Sequence, residues 1–285
     1  MPGSLEGRRA IVTGASSGIG EATVEALARE GAQVAAGARR RDRLEDLAGR
    51  VEGEGGTVHA REVDVSDEAA ARAFVEESAA AMGGLDVLVN NAGVMLLGPV
   101  AGAETEHWRR MIDVNLLGLL YCTHAALPVM AEGGGGHIVN VSSVAGRRAE
   151  MGAAVYNMTK FGVVAFSEAL RQEALHANVR VTCVEPGFVD TELQGHNEHP
   201  MVVEGVRKMR EQIGEVLEAE DIAPTRSSTR CRSRRGWRST SCSSGRPSSG
   251  ASASHRIDGV RAPMAFPTPS MRGPFRRRRA NACTR

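Results

Sequence analysis

The stretch that most restricts this chain lies near its start. "RRAIVTGASSGIG", residues 8–20, is a short apolar run, then three glycines, Gly14, Gly18 and Gly20, in the order G-x-x-x-G-x-G, then an Ala-rich helical pattern. Glycine accepts backbone angles that a side chain forbids and lets the chain approach a pyrophosphate closely. A helix that begins near Gly18 points unpaired N–H groups at the same anion. The whole turn, Gly14, Ser16, Ser17, Gly18, Ile19 and Gly20, is therefore a candidate cradle for a dinucleotide. Glycines end strands in many α/β proteins, so the turn alone is a weak sign.

The following two hundred or so residues repeat the theme. Apolar strands at "AQVAAGA", "TVHAREVDV", "LDVLVNNAG", "GHIVNVSS" and "VRVTCVEPG" alternate with helical patterns over 21–30, 41–54, 67–82, 106–132 and 153–177, the fourth expected to break near Pro128. Near-continuous apolar strands separated by helices require a parallel sheet covered on both faces. The expected fold is a Rossmann-type, doubly wound parallel sheet with three αβα layers. A chain that is 42% apolar but only 4% aromatic, with 33 glycines, fits it. No apolar run reads as long enough to span a membrane, and no signal-like segment precedes the first strand. Five cysteines without regular spacing suggest neither disulfides nor zinc. Cytoplasmic residence and no membrane partner are the expectation.

The formal charge of +1 conceals two unlike pieces, 1–223 and 224–285. The second holds 15 arginines, no lysine and one acid, Asp258, leaving 20 basic and 33 acidic residues for the first. From Pro224 neither strand nor helix periodicity survives, so the segment is expected to be a disordered Arg/Ser-rich tail. Writing GC-rich codons for "PTRSSTRCRSRRGWRSTSCSSGRPSS" and stepping back one base yields "ADAVLYAVSQPPGVAVNELLVRPTEQ", an apolar helix, a turn and an apolar strand. A frameshift near codon 224, which removes the sheet's last strand, is the expected cause. The rival reading is a basic arm that binds nucleic acid through "RCRSRRGWR" and "RRRR". It carries no folded reader motif, so nucleic-acid binding is disfavoured. A chain truly translated this way is expected to be poorly soluble, because strand six has an open edge.

The end of the second strand bears on which dinucleotide binds. An acid there would hold a ribose 2′-hydroxyl. This chain has Ala38 followed by Arg39 and Arg40. A guanidinium can meet a 2′-phosphate through two parallel bonds, so NADP(H) is favoured over NAD(H), with Arg39 the better candidate. The bland alternative is that both arginines open a solvated helix. Asp64 and Val65 end strand three where an adenine would lie.

"VYNMTK" places Tyr156 and Lys160 at i and i+4 of one helix, so their side chains can converge. A phenol moves protons poorly near neutral pH unless positive charge stabilises its anion, and an ammonium beside it does so. Ser143, at the end of strand five, can hydrogen-bond the oxygen of a carbonyl or alcohol while Tyr156 moves the proton. Together these suggest hydride transfer, with the cofactor as redox partner. No metal site is expected: His196 and His199 are three apart, in a polar loop without a third ligand. Cys183 reads as a small buried hydrophobe.

With "NNAG" at 90–93, Asn115, "SS" at 142–143, "YNMTK" and "PG" at 186–187, the chain resembles the short-chain dehydrogenase/reductase family over residues 6 to about 222. It is similar to the family's single-domain NADP-preferring bacterial members. The resemblance implies that Asn91, Ala92 and Gly93 help seat the cofactor. It also implies that Asn115 holds a water against Lys160, that Ser143 orients substrate, and that Tyr156 is the general acid/base. Lys160 would bind the nicotinamide ribose and lower the tyrosine's pKa. Pro186, Gly187, Val189 and Thr191 would serve the nicotinamide side, and residues 192–216 would form a lid. Arg147 or Arg148 can meet a substrate carboxylate. The implied substrate is a small aldehyde, ketone, secondary alcohol or hydroxy acid. The two long helices would join a homodimer or homotetramer. The alternative class is a non-catalytic nucleotide-fold protein with a basic arm, or an inactive relic.

Overall fold

The computed structural model describes residues 3–197, 200–213 and 216–223. The first six strands and six helices run β1 (Arg9–Thr13), α1 (Gly18–Arg29), β2 (Gln33–Ala38), α2 (Arg41–Gly53), β3 (Thr57–Glu62), α3 (Glu68–Met82), β4 (Val87–Asn90), α4 (Thr105–Ile112), α5 (Gly118–Glu132), β5 (Gly136–Val141), α6 (Ala154–Glu173) and β6 (Val179–Val184). A last helix, α7, spans Pro200–Ile213.

The strands form one six-stranded sheet in the order β3-β2-β1-β4-β5-β6. Every pairing is parallel; Val12 faces Ala36 on one side and Val89 on the other, and Asn90 faces Asn140. The chain winds outward from β1 to β3, then returns to the far side of β1 to lay down β4. That reversal leaves a crevice beyond the ends of β1 and β4, where open α/β sheets bind their ligands.

Alternation along each strand sorts the core into two layers. Ala10, Val12, Val34 and Ala36 pack with Val24, Leu27, Leu44 and Leu47 of α1 and α2. Ile11, Ala35, Leu88 and Ile138 point the other way, into Phe74, Met111, Ala126, Met130 and Leu170 of α3 to α6. This is the expected three-layer αβα arrangement. Local chemistry marks the helix ends. Asp67 caps α3 by accepting from the Ala70 N–H at 2.8 Å, and Gly83 closes it in the left-handed region at φ 75°.

Several expected boundaries shift. β3 stops at Glu62, β4 at Asn90, β5 at Val141 and β6 at Val184. The residues beyond leave the ladder to build the cleft. The long fourth helix does not break at Pro128, which lies inside α5. Pro128 and His124, the residue whose carbonyl loses its partner, are both exposed, so water can satisfy it. The irregularity comes earlier, as a π-helical turn over Asp113–Leu117 that carries Asn115. The joined run Thr105–Glu132 is also long and apolar enough to cross a membrane by length and composition, contrary to the reading of the sequence; half of its most apolar window is buried. Cys183 is only partly buried, because among the described residues β6 pairs with β5 alone. The expected tail, its frameshift and any seventh strand lie outside the described residues.

Across the sheet runs a buried polar ladder. The Asn90 amide donates to Thr123 Oγ1 and to Asn140 Oδ1, both at 2.9 Å. Asn140 donates to Ser167 Oγ at 2.9 Å, and that hydroxyl donates to the Val163 carbonyl at 2.7 Å. The ladder ties α5, β4, β5 and α6 together. Buried polar groups left without partners cost about 1–3 kcal/mol each. Asn140→Ala is thus expected to lower unfolding free energy by about 2 kcal/mol, read as a fall in the urea midpoint with an unchanged m-value.

Candidate active site

The glycine turn is held by contacts that leave no room for side chains. A Cβ at Gly14 would sit 2.7 Å from Ala92 Cα, and one at Gly20 would sit 2.3 Å from the Gly14 carbonyl oxygen. Gly14 and Gly18 adopt φ +65° and +55°, in the left-handed region. Thr13 Oγ1 accepts from the N–H groups of Asn91 and Ala92 at 3.0 and 3.1 Å. The Asn91 amide donates to the carbonyls of Thr13 and Gly14 at 3.0 and 3.1 Å. Asn91 therefore stitches β4 to the turn.

One cleft of about 290 Å3 continues from this turn past Arg39, Asp64 and Val65 to Ser143, Tyr156 and Lys160. Ala92, Gly93, Pro186, Gly187, Val189 and Thr191 also line it. Of the expected catalytic and cofactor residues, all but Gly20 and Asn115 form its wall; the substrate candidates Arg147 and Arg148 are not part of it.

Asn115 is buried, and both ends of its amide are hydrogen-bonded. Oδ1 accepts from the Val94 N–H at 2.8 Å, while Nδ2 donates to the Val94 carbonyl at 2.9 Å and to Thr159 Oγ1 at 3.2 Å. Thr159 in turn donates to the Tyr156 carbonyl at 2.8 Å. The π-turn aims Asn115 at both the β4 loop and α6, a placement common for such bulges at working sites.

Tyr156 and Lys160 share the buried face of α6. The lysine Nζ lies 5.8 Å from the centre of the phenol ring and donates to the Val141 carbonyl at 3.1 Å. Burial pushes the Tyr156 phenol up to about 12, partly opposed by the Ser143 hydroxyl. Burial also pushes the Lys160 ammonium down to about 8, with Cys183 nearby acting the other way. The lowering of the tyrosine that the resemblance implies is thus outweighed here by desolvation. Ser143 caps a short 3-10 turn, accepting from the Ala145 N–H at 3.1 Å.

Arg39 and Arg40 are adjacent but differently employed. Arg40 donates from Nε and Nη2 to Ser16 Oγ, both at 3.1 Å, and from Nη2 to Ser17 Oγ at 2.8 Å. Its Nη1 reaches Glu192 at 2.7 Å. Arg39 has no hydrogen bond or ion pair among the described residues. Asp64 is held below the usual carboxylate range: burial opposes this but is outweighed by the Ser66 hydroxyl and N–H, with Arg39 and Arg110 adding to it. Arg147 is committed to the largely buried Glu185 at 2.8 Å, and neither it nor Arg148 lines the cleft. No group of three or more His, Cys, Asp or Glu side chains with metal-binding placement occurs among the described residues; His199 falls outside them.

Four residues escaped the sequence reading. Asn157 donates to the carbonyls of Ala145 and Arg148 at 2.7 and 2.9 Å and so shapes the loop after Ser143. Thr159 joins Asn115 to the Tyr156 backbone. Both stand inside "YNMTK", so the motif itself was their signal. Glu192 opens a 3-10 turn that runs to His196, and Asn197 closes it by accepting from the Leu97 N–H at 2.7 Å. Both fall within 192–216, the segment expected to form a lid, but nothing local in the sequence singles out either one.

An open parallel sheet with a glycine turn at its reversal point, and a serine, a tyrosine and a lysine converging in the same crevice, define a nucleotide-fold oxidoreductase. The chain belongs to the short-chain dehydrogenase family: the family's model, described as short chain dehydrogenase, matches residues 8–201. Members of this family typically bind NAD(H) or NADP(H). The chain is 41% identical over 222 residues to a glycine betaine reductase of Emericella nidulans, covering 78% of this chain but 17% of that protein. It is 43% identical over 188 residues to an uncharacterized oxidoreductase of Staphylococcus saprophyticus, covering 65% of this chain and 76% of that one. A solved short chain dehydrogenase/reductase of Burkholderia phymatum, in complex with NAD, superposes with a TM-score of 0.71 at 26% identity, covering 76% and 83% of the two chains.

Lys160 gives a test that needs no substrate. Its proton is bound more weakly in the fold, at about 8, than at the ordinary 10.5, so its charge destabilises the fold below about 8. Wild-type stability should rise as pH passes from 8 to 10.5. The stability difference between Lys160→Met and wild type is expected to shift by about 3 kcal/mol in the wild type's favour over that window, measured by urea titration at several pH values.

Proposed function

We propose that the protein is an NADP(H)-dependent oxidoreductase acting on a carbonyl or alcohol: an aldehyde, ketone, secondary alcohol or small hydroxy acid. NAD(H) is the second cofactor choice. The observation that carries the reading is the joining of Ser143, Tyr156 and Lys160 to the glycine turn along one cleft. The cramped Gly14 and Gly20 fit a backbone-lined pyrophosphate site, and the uncommitted Arg39 supports a 2′-phosphate. Asn91, Ala92 and Gly93 would seat the cofactor, with Asp64 and Val65 at its adenine and Pro186, Gly187, Val189 and Thr191 at its nicotinamide end.

The bound nicotinamide supplies or accepts the hydride. The residues of the chain handle the proton and the geometry. In reduction, Tyr156 Oη gives its proton to the carbonyl oxygen; in oxidation, it takes the proton from the alcohol. Ser143 Oγ hydrogen-bonds the same oxygen and fixes its distance from the phenol. Lys160, near 8, is still largely an ammonium at neutral pH and stabilises the phenolate. Asn115 holds the β4 loop and Thr159 in place, and the remaining lone pair of its Oδ1 is free for the water of a proton relay through Lys160. Burial of Tyr156 and Lys160 limits competing water at the phenol and the ammonium.

The same reading includes pairing of copies through the long helices, supported by the exposed Met158 and Phe161 on α6. It also includes a frameshifted origin for residues 224–285, supported by the single pairing of β6 among the described residues. Sequencing the gene across codon 224 tests that origin, and an uninterrupted frame would overturn it.

Consumption of NADPH against a panel of aldehydes, ketones, hydroxy acids and, from the relative's name, glycine betaine tests the activity. Tight NADPH binding with no turnover on any of them would count against an enzyme. Tyr156→Phe is expected to lower turnover at least ~100-fold while NADPH affinity stays within about twofold. Arg39→Ala is expected to weaken NADPH about 10-fold relative to NADH, by fluorescence titration. Equal losses for both cofactors would remove the 2′-phosphate assignment.

A further inference from the structure

Glu192 sits where an anion is least expected. It follows Thr191, whose methyl group would be only 2.9 Å from a Cβ on Gly18, so this segment lies directly against the glycine turn. From there its carboxylate reaches across the mouth of the cleft to Arg40 at 2.7 Å and to Arg43 at 3.8 Å. The Arg40 hydrogen bond holds the carboxyl below its usual range, so it is an anion at neutral pH. Nε and Nη2 of Arg40 are already spent on Ser16 and Ser17. Its remaining nitrogen, Nη1, is taken by Glu192, and both residues line the cleft.

Two consequences compete. The ion pair ties the 3-10 turn at Glu192–His196 to Arg40, which would retain a bound nucleotide. The carboxylate also competes with any phosphate for Arg40 and adds negative charge to a site built for anions. The magnitudes decide between them. Both side chains are nearly half exposed, at 42% and 44%, and pairs of that kind hold only weakly. A phosphate carries more charge than a carboxylate and accepts the guanidinium fork at least as well. The repulsive effect is therefore the larger.

We propose that Glu192 is a specificity-determining residue that occupies the outer edge of Arg40 in place of a phosphate, and so penalises a 2′-phosphate more than the pyrophosphate. The distinction follows from position. Arg40 stands at the end of β2, on the ribose side, whereas the pyrophosphate has the N–H groups at the start of α1. Arg39 alone is then left to receive the 2′-phosphate. The proposal rests on the dinucleotide reading of the cleft.

Calorimetric titration with adenosine 2′,5′-bisphosphate and with adenosine 5′-monophosphate tests it without turnover. Glu192→Gln is expected to tighten the bisphosphate about 10-fold and the monophosphate by no more than about threefold. In an Arg40→Gln background, the same substitution should give no gain for the bisphosphate. Unchanged or weaker bisphosphate binding, equal gains for both nucleotides, or a gain that persists without Arg40 would each overturn the proposal. Failure of every form to bind either nucleotide, NADPH or NADH would instead sink the dinucleotide reading beneath it.

Discussion

The cleft depends on how closely the turn after β1 approaches the end of β4. Two backbones can meet at that distance only because Gly14 and Gly20 lack side chains, and Thr13 and Asn91 then lock them with four hydrogen bonds. From Asn91 the constraint passes along the chain to Val94, which Asn115 grips through both its N–H and its carbonyl. Asn115 also holds Thr159, and Thr159 holds the backbone of Tyr156. The glycine turn and the Tyr156 end of the cleft are thus joined by a short series of hydrogen bonds. A side chain at Gly14 would disturb the position of a phenol on a helix more than a hundred residues later.

The reacting groups are placed against their own solvation. Burial drives the Tyr156 phenol and the Lys160 ammonium in opposite directions on the pH scale, each toward its uncharged form. Among the described residues, neither has an ionised hydrogen-bond partner, and the Lys160 ammonium donates to the Val141 carbonyl. The fold bears this cost because the surrounding structure over-determines both positions. Ser142 Oγ donates to the Lys160 carbonyl at 2.9 Å, and a Cβ on Gly146 would sit 2.7 Å from that same oxygen. A lysine whose pKa stays just above neutrality keeps its charge while sitting in a dry site, where its field on the phenol is strongest.

Much of this was legible in the sequence, and the failures have physical causes. The parallel sheet between two helical layers follows from apolar runs alternating with helices, because parallel strands buried on both faces cannot hide their composition. The reacting trio could be read because two of its members are one helical turn apart. The break at Pro128 misled because a proline's local penalty vanishes where the orphaned carbonyl faces water. The π-turn at Asn115 could not be read, since its amide finds its partners on the β4 loop and α6, distant in sequence, and local propensity does not mark it. The buried role of Cys183 failed for a similar reason: burial of an edge strand depends on what covers it.

The two arginines after β2 carry this argument furthest. As sequence, Arg39 and Arg40 are neighbours with the same chemistry, and either can serve a phosphate. Folding separates them through residues far away in the chain. Ser16 and Ser17 bind one edge of Arg40 and Glu192 the other, so its guanidinium is part of the wall, whereas Arg39 makes none of these bonds. A ligand that reaches Arg39 adds an interaction, but one that reaches Arg40 must first displace a carboxylate. The local charge of a cleft therefore says less about its affinity for an anion than the number of its cations still lacking a partner. In this cleft, that number is set by a residue 152 positions downstream of Arg40.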